Sequence, residues 1–210
     1  MKLDDLVRTL AEDTQQPRLP LGRQLTVGLA TGAALSCAIL LVTAGVRPDL
    51  PEALLSWQVL AKFAFAGLLM AAAFAASLDA AQPDARGGSR ALAAAPGLLA
   101  AAVGAELLTT PAGTWGAAAS GRHPELCLVV VPALSALPLI AAVATLRRAA
   151  PASPTRLGLA MGLLCGALGA FVYMLRCTDD APLFVAIWYS AAIALVGLAG
   201  ALAGRRAFRW

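Results

Sequence analysis

Apolar residues along this chain gather into long blocks instead of alternating with polar ones. Six stretches, 25–45, 57–78, 91–108, 126–146, 157–175 and 183–203, come near the 20 or so apolar residues that a helix needs to cross a hydrocarbon layer. Basic residues punctuate the blocks: Arg23 and Arg47 flank the first, Arg147 and Arg148 stop the fourth, and Arg205 and Arg206 close the sixth. The first block follows a largely polar segment, is too long for a signal-peptide core and lacks a convincing cleavage site, so it reads as a span. The pattern predicts an all-α membrane protein with six transmembrane helices. Its parts are an amphipathic segment at 1–24, a transmembrane domain at 25–204 and a short basic tail at 205–210.

Composition sharpens the class. Hydrophobic residues make up 60% of the 210, charged residues only 13%, and mean hydropathy is +0.76. A soluble domain carries about 25% charged residues, so a soluble enzyme, a nucleic-acid-binding module and a disordered regulator are all excluded. The net charge of +4 does not signal nucleic acid, because the arginines sit at the ends of apolar blocks. Their distribution sets an orientation instead. With both termini inside, Lys2, Arg8, Arg18, Arg23, Arg86, Arg90, Arg147, Arg148, Arg156, Arg205, Arg206 and Arg209 face the cytoplasm, 12 of the 16 basic residues. Arg47, Lys62, Arg122 and Arg176 remain outside.

Within the blocks, small residues recur. Gly158, Gly162, Gly166 and Gly169 line one face of the fifth predicted helix, and Gly197, Gly200 and Gly204 repeat the device in the sixth. Such faces let two backbones approach closely where lipid gives no hydrophobic push. Ionisable groups are scarce there; Lys62 and Glu106 sit near the outer boundary. No HExxH, P-loop or CxxC is present, which gives transport and intramembrane catalysis little support.

Four cysteines divide by depth. Cys37 and Cys165 fall in mid-span, where a thiol behaves as a small hydrophobe. Cys127 opens the fourth helix and Cys177 closes the fifth, both on the outer side. A structural disulfide between them, a redox- or metal-reactive pair and an inert pair are all open. His123, four residues before Cys127, and Asp179, two after Cys177, complete a candidate sensing cluster. The soft set of Cys127, Cys177 and His123 would suit zinc, copper or cadmium; His123 and its neighbours as a helix cap is the plainer alternative. No resident cofactor is expected, and a heavy-metal ion would bind only transiently.

At the other face, Leu3, Leu6, Val7 and Leu10 recur at helical spacing and form an apolar stripe. Asp4 and Asp5 favour a helix start, and Pro17 and Pro20 end it. Acidic residues outnumber basic ones on its polar side, which suits a groove on a partner protein better than a lipid surface.

These residues together resemble a family. The segment AAPASPTRLGLAMGLLCGALGAFVYMLRCTDDAPLFVAIWY, the terminal AFRW, His123-Pro124-x-x-Cys127 and the D-x-L-V-x-x-L-A-x-D opening are similar to NrsF-type membrane anti-sigma factors, across essentially the whole chain. The resemblance implies a six-helix protein of the bacterial inner membrane that holds an extracytoplasmic-function sigma factor at the cytoplasmic face and contacts no nucleic acid itself. It implies that Cys127 and Cys177 sense heavy-metal or oxidative insult, with release of the sigma factor. It also implies that residues 1–24, with Leu3, Asp4, Leu6, Val7 and Leu10, belong to the partner-binding surface. Loops near Arg86 and Arg147 are expected to add to it. A membrane thiol oxidoreductase using the two cysteines, a small metal or solute transporter and a structural subunit are the rival readings.

Overall fold

The computed structural model describes residues 21–82, 90–146 and 151–207, all of them helical or in short connections. Among the described residues, six helices are long and apolar enough to cross a membrane: α1 (Leu21–Thr43), α3 (Trp57–Ala80), α4 (Ala94–Thr109), α6 (Pro124–Leu146), α7 (Pro154–Met174) and α8 (Pro182–Ala207). Two short helices, α2 (Leu50–Ala53) and α5 (Trp115–Ser120), lie in connections. The stripe Leu3-Leu6-Val7-Leu10 with Asp4, the loops at Arg86 and Arg147, and the last three residues lie outside the described residues.

Local sequence explains the boundaries. Ser153 caps α7 by accepting from the Arg156 N–H at 3.4 Å, with Pro154 in the first turn, where its missing donor costs nothing. Ser56 caps α3 in the same way through Val59. Past α1, Gly45 adopts φ +69° and turns the chain.

Helix α7 is the hub: most of its length is buried, and α8, α3, α6 and α1 all pack on it. The glycine stripe makes this possible. A Cβ on Gly162 would lie 2.8 Å from the Gly197 Cα, and one on Gly204 would lie 2.8 Å from the Gly158 Cα. Backbone therefore meets backbone between α7 and α8, as small-residue faces allow. Gly169, on the same stripe, meets a different neighbour: Ser135 and the Val131 carbonyl of α6.

Helix α1 docks on α6 at a proline. Pro138 has no N–H, so the carbonyl of Leu134, one turn earlier, loses its helical donor. The Ser36 hydroxyl of α1 donates to that carbonyl at 2.7 Å. One turn before Ser36, Gly32 lets α1 close in, since a Cβ there would fall 2.6 Å from the Pro138 Cα. Helix α4 is peripheral and rests mainly on α3.

Gly22 approaches Leu78, and Gly204 approaches Pro154, so Leu21 and Ala207 share one end of the bundle. The opposite end carries the connections after α1, α4 and α7. Polar chemistry concentrates there.

Candidate functional site

At that distal end, Cys127 sits in the first turn of α6, and Cys177 sits just past α7. Cys127 is fully buried and Cys177 is 7% exposed. The two thiols are unbridged and touch each other. The Cys177 Sγ–H also points at the Asp179 carbonyl, at 3.9 Å.

Two buried cations hold the segment around Cys177 in place. Lys62 projects from α3 and donates to the Asp179 carbonyl at 2.9 Å and to Asp180 Oδ1 at 3.2 Å. Its ammonium lies 5.0 Å from the centre of the Tyr189 ring. Arg47, beyond α1, donates to the Cys177 carbonyl at 3.1 Å, to both oxygens of Asp180 and, through Nε and Nη2, to both oxygens of Asp49. The backbone joins in, with the Arg47 N–H donating to the Leu175 carbonyl at 3.0 Å. Asp180 therefore bridges the ends of α1 and α3, and both helices are tied to the strap that carries Cys177. Burying Lys62 (2% exposed) and Arg47 (5%) without such partners would be costly.

Two further contacts shape the strap. Glu106 of α4 accepts the Leu183 N–H at 2.8 Å and so caps the start of α8, where a carboxylate meets the positive end of the helix dipole. Just beyond, Val185–Tyr189 forms a π-helical turn, a local widening often found at functional sites. It brings Tyr189 against Tyr173, Phe184 and Cys177. The Tyr189 side chain is fully buried, and its hydroxyl, beside the Cys177 sulfur, has no partner in hydrogen-bonding geometry.

The charges shift the titrating groups outside the helices. The Cys127 thiol donating to Cys177 holds the Cys177 thiol below its ordinary 9.0; burial opposes this, and the Lys62 ammonium adds to it. Hydrogen bonds from Arg47 lower Asp49 to about 2. Arg47 is pushed upward by Asp49 and then by Asp180.

Of the residues singled out by sequence, Cys127 and Cys177 come together. Asp179 joins them through its backbone carbonyl, while its carboxylate accepts the Arg122 N–H at 3.2 Å. His123 does not join them. It precedes α6, is exposed, and pairs with Glu125 at 3.3 Å. Among the described residues, no three His, Cys, Asp or Glu side chains converge as a metal-binding group. Sequence reasoning gave no site role to Arg47 or Tyr189, treated Lys62 and Glu106 as boundary residues, and read Asp180 only as a neighbour of Asp179 after Cys177. The available signal was a lysine inside an apolar block, which marks a functional position by default.

Comparison with known proteins bears on this arrangement. The sequence profile of the family described as "Negative regulator of sigma F" matches residues 10–210. The chain is 33% identical, over the full length of both, to the "Anti-sigma-F factor NrsF" of Caulobacter vibrioides. It is 28% identical, again over both full lengths, to the "Probable anti-sigma-F factor NrsF" of Azospira oryzae. No solved structure matches significantly. Anti-sigma factors regulate by binding, and the rival enzyme and transporter readings find no counterpart in these relatives. With a match that spans nearly every residue, the chain belongs to the NrsF family of negative regulators of sigma F.

Proposed function

We propose that this protein sits in the bacterial inner membrane with both termini in the cytoplasm. There it sequesters an extracytoplasmic-function sigma factor, which it releases when heavy-metal or oxidative chemistry reaches Cys127 and Cys177 from the outer side. The basic-residue asymmetry supports the orientation: Arg23, Arg156, Arg205 and Arg206 fall at the end shared by Leu21 and Ala207, and Arg47, Lys62, Arg122 and Arg176 at the thiol end. The apolar outward faces, with Val27, Val129, Ile140 and Leu198 exposed, suit a lipid bilayer.

The observation that carries the reading is the contact between the unbridged Cys127 thiol of α6 and the Cys177 thiol, which lies on a strap that Arg47 fastens to the end of α1. Helix α1 runs from that strap to the opposite end, and in sequence it directly follows the segment that carries Leu3, Leu6, Val7 and Leu10. A change at the thiols is thereby linked to the segment suited to holding a partner. Turning a mostly bound sigma factor into a mostly free one needs a differential of about 3–5 kcal/mol between two states of the bundle. Forming one disulfide or one dithiol adduct is of that order, about 2–4 kcal/mol for a disulfide.

The test is sigma-dependent transcription in cells carrying Cys127→Ser with Cys177→Ser. Repression should persist and induction by cadmium or a peroxide should disappear. A double variant that still induces normally would remove the thiols from the mechanism.

A further inference from the structure

Granting that the thiol pair is the sensing element, its surroundings say what kind of agent it takes. Two soft sulfurs are in contact, and no third metal-binding side chain converges with them among the described residues. A tetrahedral zinc- or cadmium-type ion wants three or four such ligands. Lys62 and Arg47, which hold the strap, are offset by Asp180 and Asp49, so charge does not discriminate between thiophiles here and the ligand count does.

The remaining feature is Tyr189. A fully buried phenol without a hydrogen-bond partner is uncommon, and each case calls for an explanation. Here the π-helical turn at Val185–Tyr189 delivers the hydroxyl beside the Cys177 sulfur. A ligand that binds both sulfurs and presents an oxygen would supply the missing acceptor.

We infer that the Cys127–Cys177 pair is a chelating site for a neutral trivalent thiophile of the arsenous acid type, As(OH)3, whose retained hydroxyl accepts a hydrogen bond from Tyr189. In the adduct, the Cys177 sulfur forms one As–S bond and displaces one hydroxyl, and Cys127 forms the second and displaces another. Each displaced hydroxyl leaves as water. One takes the Cys127 proton; the other takes the Cys177 proton or, where that thiol is already ionised, a proton from solvent. Nothing is oxidised or reduced, and one As–OH remains. A pyramidal arsenic, with its sulfur–arsenic–sulfur angle near a right angle, keeps both sulfurs close together, as two thiols in contact already are. Tyr189 is a positioning residue in this scheme, and the sulfurs form the bonds.

The experiment uses the full chain in lipid nanodiscs with sodium arsenite as one probe and cadmium chloride as the other, and counts metalloid or metal retained per protein. One arsenic per chain is expected, lost in Cys127→Ser and in Cys177→Ser. Tyr189→Phe deletes an oxygen that lies beside the Cys177 sulfur outside hydrogen-bonding geometry, so its thermal unfolding should stay near wild type. It should weaken arsenite retention about tenfold, as expected for losing one hydrogen bond, and leave cadmium retention unchanged. Cadmium retained through both cysteines with arsenite ignored would overturn this inference while leaving thiol sensing intact. So would arsenite retention indifferent to Tyr189→Phe. If both cysteine variants kept both probes, this inference and the sensing role would fall together.

Discussion

Replacing Arg47 with Met separates the two halves of the distal clasp. The guanidinium is 5% exposed and serves Asp49, which is half exposed, and Asp180, which is 21% exposed, together with the Cys177 carbonyl. Little is lost on the Asp49 side, because water takes over. On the inner side, Asp180 keeps Lys62 at 3.2 Å but loses two charge-assisted hydrogen bonds, and the Cys177 carbonyl loses its side-chain donor. A hydrogen bond to a charged group contributes about 1.5–3 kcal/mol, and an abandoned buried acceptor costs about 1–3 kcal/mol. With Lys62 compensating in part, the sum is about 3 kcal/mol, the lower end of the range for breaking a buried ion pair. At about 2–4 °C per kcal/mol for a chain of this size, Arg47→Met should lower the Tm by about 6–12 °C. Circular dichroism in detergent micelles measures it, with Asp49→Asn as the control that leaves the inner contacts in place. An Arg47→Met protein that melts with Asp49→Asn would refute the clasp.

The Ser36 hydroxyl is needed because Pro138 gives Leu134 no donor, so Ser36→Ala should cost about 1 kcal/mol alone and almost nothing beside Pro138→Ala; a double-mutant cycle that shows no coupling contradicts this. Gly200→Ala would set a Cβ 2.7 Å from the Gly162 Cα and should destabilise by about 1–3 kcal/mol. Gly104→Ala meets nothing within 4 Å and should be neutral or mildly stabilising; thermal unfolding separates the two. Alkylation of Cys177 by iodoacetamide, followed by mass spectrometry, should rise with pH and reach half its plateau below the ordinary thiol value of 9.0. Lys62→Met removes a cation that favours the thiolate, so the midpoint should move upward; an unmoved midpoint removes Lys62 from the site's electrostatics.

The spans were legible because hydrocarbon imposes length and composition together, and the described helices begin and end within a few residues of the apolar blocks. Differences have local causes. The fifth span starts at Pro154 because Ser153 caps it. The sixth runs on to Ala207 because Gly204 sits against Pro154 and the first residues of α7. Spacing also exposed the glycine stripe, although not that Gly169 would serve α6. The thiol pair was legible as two cysteines at one level. Its surroundings were not, because the partners are remote in sequence: Arg47 and Asp180 stand 133 residues apart, and Lys62 and Asp180 stand 118 apart. Nor does sequence announce a π-helical turn, which decides where Tyr189 points. His123 stands four residues before Cys127, but α6 begins at Pro124, so His123 falls outside the helix and away from the thiols.

The central claim is that thiol chemistry at one end governs a partner held at the other. Its most direct measurement is retention of the sigma factor on full-length protein in nanodiscs, before and after Cys127 and Cys177 are modified, with the double serine variant in parallel. The account predicts retention by both untreated proteins and release from the wild type alone after treatment. Equal retention by the treated wild type and the treated variant would contradict it.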